Sequence, residues 1–182
     1  MSPAGCLSFI VSQGMIRFAL PTDAVRIAEI HVATWRVAYL EIVPEAFLAS
    51  LSVEKRAEGW RRGIEANPRL VLVSEIEGEI VGWISIGFGR DDDSKSDGEV
   101  YALYVLPETW TRGIGRDLMK RGEEELWSRG VSRVVLWVLD ANARARRFYE
   151  ALHYVPDSRA KEIALGETKL TELRYEKKTK AG

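Results

Sequence analysis

A single cysteine, Cys6, and two histidines, His31 and His153, are all the soft metal-ligating side chains the sequence carries. One thiol cannot close an internal disulfide or build a cysteine-based zinc site, and two imidazoles are too few for a histidine-rich centre. No metal is expected, and the cysteine usage points to a reducing, cytoplasmic setting. Net charge is scarce as well. The 26 basic and 27 acidic residues leave −1, so nothing draws the whole molecule toward nucleic acid or an anionic membrane, and neither is expected as a partner. Long apolar runs are missing too: "CLSFIV" near the N-terminus is far too short to span a bilayer, and no positive residue precedes it as a secretion signal requires. What is present is ordinary globular material, 46% hydrophobic and 29% charged over 182 residues, enough for one domain with a substantial core.

No repeat or linker divides the chain. "MIRFALPTDA" reads as a first strand running straight into a helix start, with Met15 itself a candidate translation start. Residues 1–14 are therefore set aside as an extension expected to be poorly ordered and 179–182 as a tail, which leaves a domain over 15–178. After a strand at 16–19, Thr22 or Asp23 can cap a helix ending near Tyr39 or Leu40. A second helical region runs through "VPEAFLASLS" and "VEKRAEGWRRGIEANP", stopped by Asn67-Pro68. "RLVLVSEIEGEIVGWISIGFG" is two strands about Glu77-Gly78, a hairpin signal. The polar "RDDDSKSDG" leads to the strand "EVYALYV", a Gly-rich loop, a helix to about Arg129 and the strand "RVVLWVL". The helix "ARARRFYEALHY" and two strands joined near Gly166-Glu167 close the chain.

The loop in "YALYVLPETWTRGIGRDLM" is the feature that asks for a ligand. Glycines opening a helix serve an anion, because the first N–H groups of a helix lack partners and carry the positive end of its dipole. A Walker A loop is excluded, since no Lys-Ser or Lys-Thr pair follows the glycines. A dinucleotide fingerprint fits poorly: Leu118 stands where the third glycine belongs, and "LPETWT" separates strand from glycines. By itself the Gly-x-Gly pair is also consistent with a plain turn and close helix packing.

Together, "GEVYALYVLPETWTRGIGRDLM" and "VVLWVLDANARARRFYEALHY" closely resemble the GNAT superfamily of N-acetyltransferases, and the likeness extends from about Met15 to Lys178. The resemblance implies an α/β fold with a central curved, mostly antiparallel mixed sheet, a splayed strand pair and flanking helices. Acetyl-CoA is the implied acetyl donor. Its pyrophosphate would lie on the backbone of Thr111, Arg112, Gly113, Ile114, Gly115 and Arg116, its pantetheine would run along Leu103, Tyr104 and Val105, and Asn142 and Arg146 would complete the cofactor site. Trp110 stands where the family often has Gln or Arg. Glu99 matches the position of the glutamate that serves as base in several members, and Tyr149 the phenol that protonates the departing thiolate.

For the acceptor, the resemblance draws attention to His31, Trp35 and Tyr39 on the first helix. Their spacing of four makes one stripe, a pattern more often core than site. "RDDDSKSDG" could attract a cationic amine by its field, or simply be solvated. The resulting reading is transfer of acetyl from acetyl-CoA to a primary amine, small-molecule or peptide, by direct attack in a ternary complex. The alternative is a non-catalytic acyl-CoA sensor of the same fold. A homodimer is compatible with either.

Overall fold

The computed structural model describes residues 14–179; the expectation for the N-terminal extension thus falls almost wholly outside the described residues. The chain runs β1 (Met15–Phe18), α1 (Ala24–Ala38), α2 (Glu45–Ala49), α3 (Val53–Ala66), β2 (Val71–Ile76), β3 (Glu79–Phe88), β4 (Gly98–Val105), α4 (Ile114–Trp127), β5 (Arg133–Leu139), α5 (Ala143–Ala151), β6 (Val155–Leu165) and β7 (Thr168–Lys178). The seven strands form one sheet in the order β1-β2-β3-β4-β5-β7-β6. Every neighbouring pair is antiparallel except β4 and β5.

That exception positions the site. β4 and β5 are joined through α4, and a parallel connection needs such a crossover. They pair only from Gly98–Val134 to Val100–Leu136 and then part, leaving the second half of each strand without its neighbour. The expected splayed pair is therefore present.

The two sheet faces are covered by different helices. Trp83, fully buried in β3, receives α1 and α3: its indole N–H donates to the Ile27 carbonyl at 3.1 Å, and Trp60 packs edge-on with ring centroids 4.5 Å apart. The adjacent residue Ile84 points the opposite way, as strand alternation requires, and lies against Gly122 of α4, whose Leu118, Met119 and Leu126 are buried.

β4 carries a bulge. Ser85 pairs with Ala102 but Ile86 pairs with Val100, so Tyr101 is the extra residue. Without it Glu99 would share a face with Tyr101 and Leu103; with it, Glu99 shares the α1 face with Ala102 and Tyr104, because their partners Gly87, Ser85 and Trp83 alternate regularly.

The segment "RDDDSKSDG" is neither a free acidic field nor simply solvated. It folds back over β5 and β7, where Arg174, only 3% exposed in its side chain, pairs with Asp91, Asp93 and Asp157, and Arg133 pairs with Asp97 and Glu176. Asp91, Asp93 and Asp97 are thus engaged within the fold, while the exposed Asp92 pairs with Lys95 of the same loop.

Candidate active site

The splay opens a cavity of about 520 Å³ that reaches from the α4 face to the α1 face of the sheet. Its α4 end is built for an anion. Gly113 caps α4 with φ +87°, a left-handed conformation that glycine adopts without steric penalty. Asp117 N–H is the first to find a helical carbonyl, that of Gly113 at 3.0 Å, so the N–H groups of Ile114, Gly115 and Arg116 form the free first turn. Thr111, Gly113, Ile114, Gly115 and Arg116 all line the cavity. Arg112 is exposed and does not, a correction to its expected place. A Cβ on Gly115 would meet Phe148 of α5 at 3.3 Å, so this glycine lets the two helices close on each other.

Trp110 and Arg144 complete this end of the cavity, neither of them among the expected cofactor residues. The Trp110 indole N–H donates to the Val105 carbonyl at 2.7 Å, and the Arg144 guanidinium lies 3.1 Å from the centre of its ring. Thr34 also donates to the Val105 carbonyl, at 3.2 Å. That carbonyl is thus already satisfied, while Leu103, Tyr104 and Val105 all line the cavity as expected. Arg146, expected here, is instead drawn away: it pairs with Asp140 at 2.6 Å and donates to the Tyr175 hydroxyl at 3.2 Å. Within "RARRF" the basic residue on the cavity wall is Arg144. Two helical positions separate it from Arg146, which puts them on different faces.

At the centre stand three phenols. Tyr39, Tyr104 and Tyr149 are each raised above the usual tyrosine pKa, first by burial; Tyr39 raises the other two further, while for Tyr39 itself hydrogen bonds with Tyr104 and Asn142 offset part of the rise. All three line the cavity and keep their protons at neutral pH. Tyr149 is fixed by packing against Phe148 and Tyr154, at centroid distances of 5.3 and 6.1 Å. Asn142 lines the wall while its side-chain oxygen caps α5 by accepting from Ala145 N–H at 3.0 Å.

Two expected site residues are not brought to this group. His31 is 8% exposed and stacks on Tyr104 at 4.9 Å, among Trp35, Trp60 and Trp83. It packs behind the cavity wall instead of lining it, whereas Trp35 and Tyr39 from the same stripe do line it. Glu99 reaches the α1 face through the bulge but stops short of the lining. Its carboxylate, 1% exposed, accepts from the Arg90 backbone N–H at 2.8 Å and from the Arg90 guanidinium at 3.0 Å and 2.5 Å. The loop supplying Arg90 could not be placed from sequence, so this partner was not legible.

A helix start with free N–H groups, a strand edge exposed by splaying and a protonated phenol stand in one cavity. Residues 14–154 match the acetyltransferase (GNAT) family. The chain belongs to this family. A curated relative, the uncharacterised N-acetyltransferase YuaI of Bacillus subtilis (strain 168), is 32% identical over 171 residues, covering 87% of this chain and 95% of the relative. Among solved structures, the PaiA N-acetyltransferase of Thermoplasma acidophilum in complex with coenzyme A superposes with a TM-score of 0.72 at 22% identity, over 91% of this chain and 99% of that one. YncA, a putative acetyltransferase of Salmonella typhimurium with its cofactor acetyl-CoA, gives 0.70 at 22% identity, over 94% and 96%. This GNAT chain is an acyl-CoA-dependent N-acetyltransferase. Among the described residues no helix is long and apolar enough to cross a membrane, and no cluster of three or more His, Cys, Asp or Glu could hold a metal ion.

Proposed function

We propose that the protein transfers the acetyl group of acetyl-CoA directly to a primary amine, with both substrates bound in the one cavity. The observation that carries this reading is that the free α4 N-terminus and Tyr149 line the same cavity.

The residues present fit the donor. A pyrophosphate suits the first-turn N–H groups of Ile114 to Arg116, with the Arg116 and Arg144 side chains adding charge. The β4 edge, freed of β5 beyond Val100, offers backbone groups to an amide-bearing chain as an added strand would. Acetyl-CoA supplies a thioester, an activated acyl group whose leaving atom is sulfur. Tyr149 holds a proton for that sulfur: its walls disfavour the phenolate, so the hydroxyl remains a donor through the neutral range. Tyr39 and Tyr104 crowd the same corner with two more hydroxyls. Glu99, held by Arg90 outside the lining, makes no direct contact in this scheme, and the proton of the incoming amine leaves through water.

Free thiol should appear from acetyl-CoA only when an amine is supplied. Tyr149→Phe should keep acetyl-CoA affinity and lower kcat by about 10²-fold, the usual scale for a lost general acid. Binding without amine-dependent thiol release across a broad amine panel would instead identify a sensor, and equal turnover by mutant and parent would return Tyr149 to packing.

A further inference from the structure

The α1 end of the cavity is chemically unlike the α4 end. Arg116 and Arg144 stand at one end; at the other, Glu172 of β7 is the single carboxylate among the lining residues. Glu172 pairs with Leu139, the last residue of β5, and so sits where β5 leaves β4. It is close enough to Tyr39 to raise that phenol's pKa further. On its other side it lies directly opposite Lys161 of β6.

Lys161 shows what this corner accepts. Its ammonium is 3.5 Å from the Glu172 carboxylate and 3.9 Å from the centre of the Trp137 ring. Trp137 and Glu172 line the cavity, whereas Lys161 does not; a bound molecule therefore meets a carboxylate and an aromatic face, the two surfaces that favour a cation. The ring is held in orientation, because its N–H donates to Asp91 at 3.0 Å. Arg174, 5.7 Å from the same ring centre, is already committed to Asp91, Asp93 and Asp157. The Lys161 contact is loose: 3.5 Å exceeds a good charge-assisted hydrogen bond, and its side chain is 38% exposed. Such a contact neutralises the Glu172 carboxylate only in part.

We propose that Glu172 and Trp137 form a subsite for a second, non-reacting cationic group of the acceptor, and that Lys161, which pairs with Glu172 from outside the cavity lining, weakens this subsite by sharing the carboxylate's charge. The class of acceptor is then a diamine or another amine with a distal ammonium. The proposal rests on the transferase reading above and names the acceptor for it.

Three four-carbon primary amines that differ only at the far end provide the test: 1,4-diaminobutane, 4-aminobutan-1-ol and 4-aminobutanoate. For the parent protein kcat/KM should fall in that order, with the diamine at least tenfold above the alcohol. Glu172→Gln should cut the diamine-to-alcohol ratio about tenfold, mainly through KM, while Lys161→Met should raise it severalfold by leaving the Glu172 charge unshared. The opposite signs matter, because a merely structural cross-strand pair would be broken equally by both variants and would move both the same way. Equal use of the three amines, or both variants shifting the ratio in one direction, would overturn the subsite while leaving acetyl transfer intact. A preference for 4-aminobutanoate would also overturn it. No thiol release with these or any other amine would remove the transferase reading and the subsite with it.

Discussion

Glu99 shows how a residue's position and its chemistry can part. Its place at the start of β4 makes it a candidate base, and the bulge at Tyr101 turns its carboxylate to the α1 face. Arg90 then takes that carboxylate: a backbone N–H and two guanidinium contacts converge on it, and the same guanidinium lies 4.5 Å from the centre of the Tyr101 ring. We expect Glu99→Gln to retain the parent's pH dependence of kcat and to lose stability, by about 1.5–3 kcal/mol for hydrogen bonds to a charged group. Denaturant titration checks the second outcome and a pH-rate profile the first. A rate lost at neutral pH but restored as pH rises would show that Glu99 relieves the amine of its proton, through a path the present geometry does not contain.

At the scale of elements, much of the fold was legible because each signal was local. Glu77-Gly78 between two apolar runs specifies the β2–β3 hairpin, and Asn142 before "ARARRFYEA" specifies an N-cap, as its bond to Ala145 N–H shows. Ala145, Phe148, Tyr149 and Leu152, spaced to share one helix face, pack against the core together. What sequence could not show depended on distant partners: Arg90 on Glu99, Asp140 and Tyr175 on Arg146, and Asp91, Asp93 and Asp97 on Arg174 and Arg133. The turn into α4 lies between these cases, since its two glycines have separable duties. No atom lies within 4 Å of a Cβ built on Gly113, but its φ is left-handed; Gly115 instead meets Phe148. Gly113→Val should therefore fold with a loss of about 1–2 kcal/mol for the disfavoured backbone, and should bind acetyl-CoA at least tenfold more weakly as the loop shifts to relieve it. Gly115→Val should cost about 1–3 kcal/mol by overpacking against α5. Calorimetry and thermal melts on the two variants separate these effects, and undiminished affinity in a folded Gly113→Val protein would count against the loop as the anion site.

For the whole molecule, the placement of charge predicts how it fails in acid. His31 is enclosed where α1, α3 and the sheet meet, with both ring nitrogens unpaired. Burial, and then the nearby Arg56 guanidinium, push its pKa down to about 3. An unfolded histidine titrates near 6.5, so below that pH the unfolded chain gains a proton that the folded chain refuses. The stability attached to His31 is thus complete above about pH 6.5 and is lost as pH falls toward 3, at up to about 1.4 kcal/mol per pH unit. The carboxylates act later. Asp93 is held below the ordinary range, chiefly by hydrogen bonds from Arg174, and Asp23, Glu125 and Glu176 are lowered by Arg17, Arg129 and Arg133 against the opposing effect of burial. Their contribution persists until pH drops below about 4, the ordinary carboxylate range. Between about pH 6 and 4 the sloping limb should therefore belong to the imidazole. His31→Leu, close in volume and free of unpaired nitrogens, should flatten that limb while leaving the steeper loss below pH 4 in place. Urea titrations at half-unit pH intervals would read both limbs. A parent protein equally stable at pH 6.5 and 4.5, or a His31→Leu protein with the parent's slope, would show that the imidazole accepts its proton within the fold.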